Sequence, residues 1–339
     1  MTIADPPGSP TMRDVADYAR VSPMTVSRTL RDDPSVAPEK RSRVLEAVAV
    51  LGYRRNEAAR NLRLGRSTRL LGVIITNIAN PFYAQLALGI EAYADERGMR
   101  VVFANSGENT ERERLLVQDF AARRLDGIIA VPAANQHDHL DPAALSGIPV
   151  VLAASPPHRI NADAVLLDDF GGTYEATSIL IARGHTNIGF LGLPAATWTG
   201  SERYRGYVAA LEAAGLAVQD RFVRRHQPDV AAAVGAANAI LDQPDPPTAV
   251  FAANNRNTIG AYRAIRARGG TTALAGFDDF DFADLLDLPL IVVSYDAREL
   301  GRVAAELLCG HIDEPPTRTS LARRVVIPTR VIDYRNAVS

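Results

Sequence analysis

The sequence has little of the side-chain chemistry that enzymes and metal sites commonly use. Its one cysteine, Cys309, excludes intramolecular disulfides and zinc sites built from several cysteines. Its only lysine is Lys40, so the rest of the chain has no lysine for a Gly-x-x-x-x-Gly-Lys phosphate loop or a Schiff base. The glycines form neither a Gly-x-Gly-x-x-Gly dinucleotide loop nor a Gly-x-Ser-x-Gly nucleophile turn. We therefore expect no enzyme and no cofactor.

Two groups of residues have side chains that can bind metal ions, one of histidines with aspartates and one of aspartates alone. His137 and His139 stand beside Asp138 and Asp141, where a solvated loop is the favoured interpretation and a metal site the alternative. The aspartates between positions 278 and 287 lack the glycine and terminal glutamate of an EF-hand loop. Most of them are therefore expected on the exposed surface, and the sequence predicts no metal site.

The N-terminus has no features of an export signal. The first ten residues contain neither a basic start nor an apolar stretch of signal-peptide length, and no later segment has the composition of a membrane span. We therefore expect a cytoplasmic protein. With 339 residues, 47% of them apolar, the chain is long enough for two core-forming domains beyond a small N-terminal module.

The net charge of -2 hides an asymmetry along the chain. Residues 1–69 include 13 basic and 8 acidic side chains, whereas the remainder includes 24 basic and 31 acidic ones. A basic N-terminal part on an acidic body is typical of a DNA-binding module joined to a domain that does not bind DNA.

Residues 11–55 have the pattern of a helix-turn-helix domain. An amphipathic first helix begins near Thr11. Ser22 and Pro23 suit the N-cap and first position of a second helix, because serine accepts an unpaired N–H and proline needs none. A third helix is predicted over residues 38–51.

Three ordered motifs mark this part of the chain: Val21-Ser22-x-x-Thr25-Val26-Ser27-Arg28, Leu51-Gly52-Tyr53 and Ala59-Arg60-x-Leu62. Together they resemble the DNA-binding headpiece and hinge of the lactose-repressor (LacI/GalR) family of bacterial regulators. Two positions depart from that pattern. Ala37 stands where the family usually has an N-cap serine, and Arg20 replaces the usual turn glycine. Both changes are expected to lower the stability of the headpiece.

From Leu70 onward, short apolar runs alternate with helical patterns, which predicts parallel, doubly wound sheets in two lobes. The motifs of this region are Asn80-Pro81-Phe82-Tyr83, Arg183-Gly184-His185, Arg203-x-x-Gly206-Tyr207, Asn254-Asn255, Gly276-Phe277-Asp278-Asp279 and Glu299-Leu300-Gly301-Arg302. They resemble the periplasmic-binding-protein-like core of the same family. The expected fold is a small all-α headpiece and hinge helix followed by a two-lobed α/β core.

The predicted domains follow from these patterns. They are a disordered N-terminus over residues 1–10, a helix-turn-helix domain over 11–55, a hinge helix over 56–66 and an effector-binding and dimerisation core over 67–339. Within the core, the N-lobe is predicted over about 67–163 plus 295–322, and the C-lobe over about 164–294 plus 323–335.

Arg28 is the residue expected to read a base, since a guanidinium can fork to guanine O6 and N7; a phosphate contact is the alternative. Pro23 and Met24 begin the outward face of the second helix, where relatives carry specificity residues. They are expected to read DNA shape and thymine methyl groups. The residues expected to hold phosphates are Thr11, Arg13, Thr25, Ser27 and Asn56.

The resemblance implies a hinge helix in which Leu62, in one motif with Ala59, opens the minor groove as a wedge. Isolated helices shorter than ~12–15 residues are marginal in water, so we expect this one to form when two copies meet on DNA. The alternative is that Leu62 packs against its own core as a linker residue.

The resemblance places a small-molecule effector between the lobes, at Arg203, Asn254 and Asp278. An arginine held by an aspartate presents a fixed fork to vicinal hydroxyls or to a carboxylate. Phe82 is the expected apolar wall, and Trp198 is a candidate for stacking.

Two positions differ from sugar-binding relatives. Ala153-Ala154-Ser155 replaces the acidic residue usual after that strand, and Asn255 stands where aspartate is common. A sugar or sugar derivative is still the expected effector.

The sequence thus predicts a dimeric transcription regulator, expected to be a repressor. It would bind a pseudo-palindromic, double-stranded DNA operator under the control of its effector. The alternative is a cytoplasmic or transport-associated solute-binding protein, which would share the core but not the headpiece. A sugar-modifying enzyme would need a catalytic acid/base or nucleophile set that the sequence does not show.

Overall fold

The computed structural model describes residues 10–53, 67–314 and 321–334. The chain divides into two compact units, Met1–Thr68 and Arg69–Ser339. Three residues with a predicted hinge or phosphate role, Asn56, Ala59 and Leu62, lie outside the described residues, so their roles stay predictions.

Three helices form the described part of the smaller unit, as the sequence predicts. Helix α1 is Met12–Ala19, α2 is Pro23–Thr29 and α3 is Pro38–Leu51. Ser22 Oγ accepts the Thr25 N–H at 3.2 Å and so caps α2. The buried side chains that hold the helices together are Val15, Ala16, Ala19, Val26, Val44 and Ala47.

Both departures from the family pattern are visible in this unit. Arg20 adopts the left-handed region with φ of 51°, where an L side chain is strained. Ala37 begins α3 without a side-chain cap. Arg43 of α3 supports the turn, because its Nη2 contacts the Ala19 carbonyl and donates to the Arg20 carbonyl at 3.1 Å.

The first sheet of the larger unit is entirely parallel. Its strands are β1 (Leu70–Ile75), β2 (Arg100–Asn105), β3 (Gly127–Ala130), β4 (Val150–Ala153), β5 (Asp163–Leu167) and β11 (Arg324–Ile327), in the spatial order β11-β5-β4-β3-β1-β2. The inner strands are buried, as expected where helices cover a parallel sheet. This sheet and its helices are called the N-lobe.

The second sheet defines the C-lobe. Its strands are β6 (Ile188–Gly192), β7 (Val223–Arg225), β8 (Ala249–Ala252), β9 (Ala273–Phe277), β10 (Leu290–Tyr295) and β12 (Thr329–Asp333), in the spatial order β12-β10-β9-β8-β6-β7. Its pairings are parallel except the antiparallel pair β10–β12.

Helices connect the strands of both sheets. In the N-lobe they are α4 (Pro81–Glu96), α5 (Thr110–Ala122) and α10 (Ala297–Asp313). In the C-lobe they are α6 (Asp169–Ala182), α7 (Trp198–Ala213), α8 (Val230–Leu241) and α9 (Asn255–Arg266). None of the helices described for this chain has both the length and the apolar character needed to cross a membrane.

The lobe boundaries differ from those expected. The C-lobe was predicted over about residues 164–294 and 323–335, but β5 pairs with β4 and with β11 in the first sheet. The chain therefore leaves the N-lobe after Leu167 and returns to the C-lobe after Ile327. An apolar parallel strand has the same pattern whichever sheet takes it, so its sequence does not reveal its partners.

His137 and His139 are buried, which corrects the expectation of a solvated loop. His139 Nε2 lies 2.6 Å from Glu113 Oε1 on α5. His137 Nε2 lies 3.0 Å from the Ala134 carbonyl, and its Nδ1 accepts the His158 N–H at 3.1 Å. Because Glu113 stands far from both histidines in sequence, their local pattern gave no sign of this buried pair.

Candidate functional site

A cavity of about 350 Å³ lies between the two lobes of the larger unit. The five residues predicted from the sequence to surround an effector all line it: Phe82, Trp198, Arg203, Asn254 and Asp278. They come from the starts of helices and from the end of a parallel strand. These are the places where open α/β sheets commonly bind ligands.

Arg203 lies at the centre of a buried polar network. Its side chain is 5% exposed. Nε donates to Asp169 Oδ1 at 2.7 Å, and Nη1 donates to the Ala253 carbonyl at 2.7 Å and to Asp278 Oδ1 at 3.3 Å. The guanidinium carbon lies 3.5 Å from the centroid of the Phe277 ring. These contacts fix the guanidinium plane, while Nη2 has no protein partner among the described residues.

Two carboxylates share this one guanidinium. Burial acts to lower the pKa of Arg203, but Asp278 and Asp169 raise it above its usual value. Burial raises the pKa of Asp169 to about 6, against the attraction of Arg203. Asp169 Oδ2 is buried and finds no hydrogen-bond partner in the described part of the chain. The positive charge of Arg203 is therefore already neutralised by the carboxylates of the protein.

Asp278 is held at the end of β9 by backbone and side-chain contacts. Its φ is 69°, and its N–H donates to the Val293 carbonyl at 3.1 Å. The Tyr295 hydroxyl donates to Oδ1 at 2.7 Å. Burial raises the pKa of Tyr295 well above its usual value, so it remains a donor at neutral pH. Oδ2 of Asp278 is left without a partner among the described residues and can accept from a ligand.

Asn254 combines a structural role with access to the cavity. Its Oδ1 accepts the Asn257 N–H at 2.8 Å, which caps α9. Within the described part of the chain, its Nδ2 has no protein partner. The cap therefore orients a free amide donor beside the cavity.

Aromatic side chains form two walls of the cavity. The Phe82 ring meets Tyr83 and Tyr295 edge to face, with centroids 4.9 and 6.0 Å apart. Trp198 is the first residue of α7, directly after Thr197, whose Oγ1 accepts the Gly200 N–H at 3.2 Å. A mostly apolar wall with a few fixed polar groups is typical of small-molecule sites.

The N-lobe side of the cavity has the uncharged residues Ala154 and Ser155 where sugar-binding relatives usually have an acid. Ala154 lines the cavity with φ of 56°. Ala133 also lines it, and its N–H donates to the buried Glu113 Oε2 at 2.7 Å. Glu113 thus holds this wall in place together with His139.

Two contacts between the lobes were not predicted from the sequence. Asn255 Nδ2 donates to Asn80 Oδ1 at 3.0 Å, and Arg256 Nη2 lies 3.5 Å from Glu108 Oε1. No signal in the sequence pairs residues so far apart. Asp169, the first partner of Arg203, was also missed, although the doublet Asp168-Asp169 at a helix start marks an acidic site.

The headpiece exposes several of the residues expected to meet DNA. Arg13 and Pro23 are exposed, and Met24 is 65% exposed. Thr25 and Ser27 are partly buried. Thr11 is engaged in a capping box, since its hydroxyl donates to Asp14 Oδ2 at 2.8 Å. Arg28 Nε donates to Asp33 Oδ2 at 2.9 Å, so its guanidinium is already held on one side.

Two family models match the chain. One, described as bacterial regulatory proteins of the lacI family, matches residues 11–56. The other, described as periplasmic binding proteins and the sugar-binding domain of the LacI family, matches residues 68–336. The chain belongs to the LacI family.

LacI-family relatives match along nearly the whole chain. Catabolite control protein A of Priestia megaterium is 31% identical, over 96% of this chain and 98% of the relative. The ribose operon repressor of Haemophilus influenzae is 30% identical, over 90% and 92%. Among solved structures, the transcriptional regulator CelR in complex with cellobiose is 29% identical, over 96% and 100%, with a TM-score of 0.70.

As a LacI-family member, the protein is a DNA-binding transcriptional regulator with an effector-binding core. The headpiece match favours this function over a solute-binding protein, which would have no such domain. The relatives are regulators rather than enzymes. Across residues 10–53, 67–314 and 321–334, no cluster of three or more histidine, cysteine or acidic side chains could hold a metal ion.

Proposed function

We propose that the protein is a homodimeric repressor whose operator affinity is controlled by a neutral, polyhydroxylated effector, a sugar or sugar derivative, bound between the lobes. The observation that carries the effector class is that Arg203 already lies between the carboxylates of Asp278 and Asp169.

The charges around the cavity support a neutral ligand. Arg203 is matched by two carboxylates, and the second cavity arginine, Arg256, lies 3.5 Å from Glu108. A sugar acid or sugar phosphate would lose the water bound to its charged group on entering the cavity. Among the described cavity residues, it would find no arginine without a carboxylate partner to compensate for that loss. We therefore favour a neutral sugar over one that carries a carboxylate, although an arginine held by an aspartate could in general bind either.

The free polar atoms support a ligand with several hydroxyl groups. Arg203 Nη2 and Asn254 Nδ2 are donors and Asp278 Oδ2 is an acceptor, and all three residues line the cavity. A hydroxyl group both donates and accepts, so adjacent hydroxyls can satisfy this mixed set. Phe82 and Trp198 supply apolar walls for a ring. The complex of the relative CelR with cellobiose supports the same class.

A matched ligand series tests this proposal. Glucose, gluconate and glucose 6-phosphate vary the charge on one carbon skeleton, and cellobiose, ribose and a purine vary the skeleton. Binding is measured as a thermal shift of the full-length protein, since a ligand at a hundredfold excess over its Kd stabilises the folded state by about 2.7 kcal/mol. We expect the neutral members to bind more tightly than the anionic ones. Tighter binding of the phosphate, the acid or the purine would contradict the proposed class.

The exposed edge of the N-lobe supports the homodimer. Strand β2 is an edge strand, and its Val102 and Phe103 are 40% and 41% exposed. Leu88 on α4 and Leu115 on α5 are 44% and 64% exposed. An uncovered apolar edge strand promotes aggregation, so a protein normally covers it. We propose that a second copy of the chain covers it here.

A two-fold dimer has two identical headpieces and therefore binds two half-sites of a pseudo-palindrome. We propose residues 11–55 as the DNA-binding domain, 56–66 as the hinge helix and the chain from 67 onward as the effector and dimerisation core. In each headpiece, Arg28 is proposed to read guanine, and Pro23 and Met24 to read shape and methyl groups. The residues proposed to contact phosphates are Thr11, Arg13, Thr25, Ser27 and Asn56.

A further inference from the structure

The loop after α2 holds one edge of the Arg28 guanidinium. Arg28 Nε donates to Asp33 Oδ2 at 2.9 Å, and Nη2 contacts the Ser35 hydroxyl. Asp33 Oδ1 accepts the Ser35 N–H at 2.9 Å. The side chain of Arg28 remains 43% exposed. One edge of the guanidinium is therefore occupied by protein while the rest stays accessible.

Asp33 is itself fixed to two helices. Its N–H donates to the Arg28 carbonyl of α2 at 3.1 Å, and its carbonyl accepts from Arg41 Nη2 of α3 at 2.7 Å. The hydrogen bonds of Ser35, followed by that of Arg28, hold the pKa of Asp33 well below its usual value. Asp33 therefore presents a charged carboxylate at a set position.

The donors left on Arg28 are the ones that suit guanine. A guanidinium has five N–H donors, of which Asp33 takes the one on Nε and Ser35 one on Nη2. Both donors of Nη1 and one of Nη2 remain, and the parallel Nη1/Nη2 pair matches guanine O6 and N7. We propose that Asp33, supported by Ser35, is a positioning residue that aims this pair at guanine. The guanine preference of the protein would then depend on a residue that does not touch the base.

This inference rests on the proposed role of Arg28 as the base-reading residue. Its physical basis is preorganisation, because a side chain held in its bound rotamer loses less freedom on binding. Because Asp33 occupies the Nε side of the guanidinium, Arg28 cannot use that side to bind a phosphate. A carboxylate beside DNA otherwise repels the phosphates. Asp33 could have two competing roles. As a mask, it would keep Arg28 from binding DNA; as a brace, it would stabilise the loop without affecting Arg28.

Asp32 provides a matched control. It is the neighbouring acid, its side chain is 96% exposed, and it pairs with Arg41 Nη1 at 2.9 Å rather than with Arg28. Asp32→Ala and Asp33→Ala therefore remove the same charge from the same loop. A difference in base preference between them isolates the contact to Arg28 from the general electrostatic effect.

The experiment uses the full-length protein and an operator duplex selected by the wild type from a randomised library. Each guanine is replaced in turn by 7-deazaguanine, which lacks the N7 acceptor, and the ratio of Kd values with and without N7 is measured. In the wild type, we expect this ratio to reach about fivefold or more at the guanine that Arg28 reads. Asp33→Ala should reduce it below about twofold without weakening binding to unrelated DNA, and Asp32→Ala should leave it unchanged.

The outcomes separate the inference from the function on which it rests. If Asp33→Ala keeps the wild-type ratio and binds all duplexes more tightly, Asp33 is a mask and the positioning role is wrong. If the ratio stays and only the thermal midpoint falls, Asp33 is a brace for the loop. If Arg28→Ala keeps the ratio at every guanine, Arg28 is not the base-reading residue, whatever Asp33 does.

Asp33→Asn keeps the test decisive if the alanine variant fails to fold, as judged by circular dichroism. Its amide oxygen can still accept the Ser35 N–H, so the loop keeps one of its hydrogen bonds, but the charged partner of Arg28 Nε is lost. A reduced ratio in this variant supports positioning, and an unchanged ratio overturns it.

Discussion

Asn255 of the C-lobe donates a hydrogen bond across the cleft to Asn80 of the N-lobe, with Nδ2 3.0 Å from Oδ1. The same Asn80 oxygen accepts the Phe82 N–H at 3.1 Å and so caps α4. The contact therefore joins the first turns of two helices from opposite lobes. An effector shifts lobe closure only through interactions that differ between the open and closed states. A cross-lobe hydrogen bond of this kind contributes to the closure energy that the effector must change.

The first prediction concerns this contact. In a double-mutant cycle of Asn80→Ala and Asn255→Ala, we expect a coupling free energy of about 0.5–1.5 kcal/mol, the usual net worth of one hydrogen bond. The measurement is chemical unfolding of the ligand-free protein. Asn109→Ala serves as control, because Asn109 caps α5 within the N-lobe by accepting the Arg112 N–H at 2.8 Å. Asn109→Ala should show no coupling to Asn255→Ala. Absence of coupling between Asn80→Ala and Asn255→Ala would mean that their hydrogen bond does not stabilise the contact between the lobes.

The buried Asp169 predicts a pH dependence of stability. Burial raises its pKa from 3.8 to about 6 in the folded protein, so the folded state keeps this proton to higher pH than the unfolded chain does. The stability from this group is fully present below about pH 4 and is lost as the pH rises through about 6. Relative to Asp169→Asn, the free energy of unfolding of the wild type should fall over that range. Urea titrations at several pH values across this range provide the measurement, with Asp168→Asn as the neighbouring control. If the free energies of unfolding of the wild type and Asp169→Asn differ by the same amount at every pH, the pKa of Asp169 is not raised by folding.

The sequence predicted local structure better than it predicted partners. Helix starts such as Ser22-Pro23 depend on neighbouring residues, so they could be read directly, and α3 matches its predicted range of 38–51. Strand β5 was given to the wrong lobe because its partner β11 follows about 160 residues later. The burial of His139 depends in the same way on Glu113, which lies on another element.

In the candidate site too, the residues within motifs were predicted and their partners on other elements were not. The family motifs located Arg203, Asn254 and Asp278, and the structure brings them to one cavity. The residues that decide the charge of the cavity, Asp169 and Glu108, lie outside the family motifs. Their importance follows from distances of 2.7 and 3.5 Å to arginines on other elements, which no local pattern encodes.

Leu62 lies outside the described residues, and its wedge role is a prediction from the sequence. Leu62→Ala should weaken specific operator binding and reduce DNA bending, because a smaller side chain cannot hold a base step open. The core should remain folded. Gel mobility of circularly permuted operator fragments measures the bend, and unchanged affinity and bending would show that Leu62 is a linker residue.

The exposed edge strand predicts that assembly depends on Phe103. Phe103→Glu places a charge on the apolar edge of β2 and should shift the protein toward monomers in sedimentation velocity. Operator affinity should fall with it, since two linked headpieces bind more tightly than one. Val326→Glu is the control, because Val326 is 53% exposed on β11 at the other edge of the same sheet. Dimers that persist in Phe103→Glu would place the interface elsewhere.

The final prediction concerns Arg203, whose removal should abolish the response of operator binding to the effector. Hydrogen bonds to a charged group contribute about 1.5–3 kcal/mol each, so losing the guanidinium should weaken effector binding by at least about tenfold. Arg203→Gln alone leaves Asp169 and Asp278 uncompensated, which typically costs about 3–5 kcal/mol of stability. The decisive variant therefore combines Arg203→Gln with Asp169→Asn. Arg205→Gln is the control, since its side chain on the same helix is 62% exposed and pairs with Glu202. Titration of effector into a preformed operator complex gives the readout. The double variant removes the guanidinium that Asp169 and Asp278 hold at the cavity. A full response to the effector in this variant would therefore mean that the effector binds away from this network.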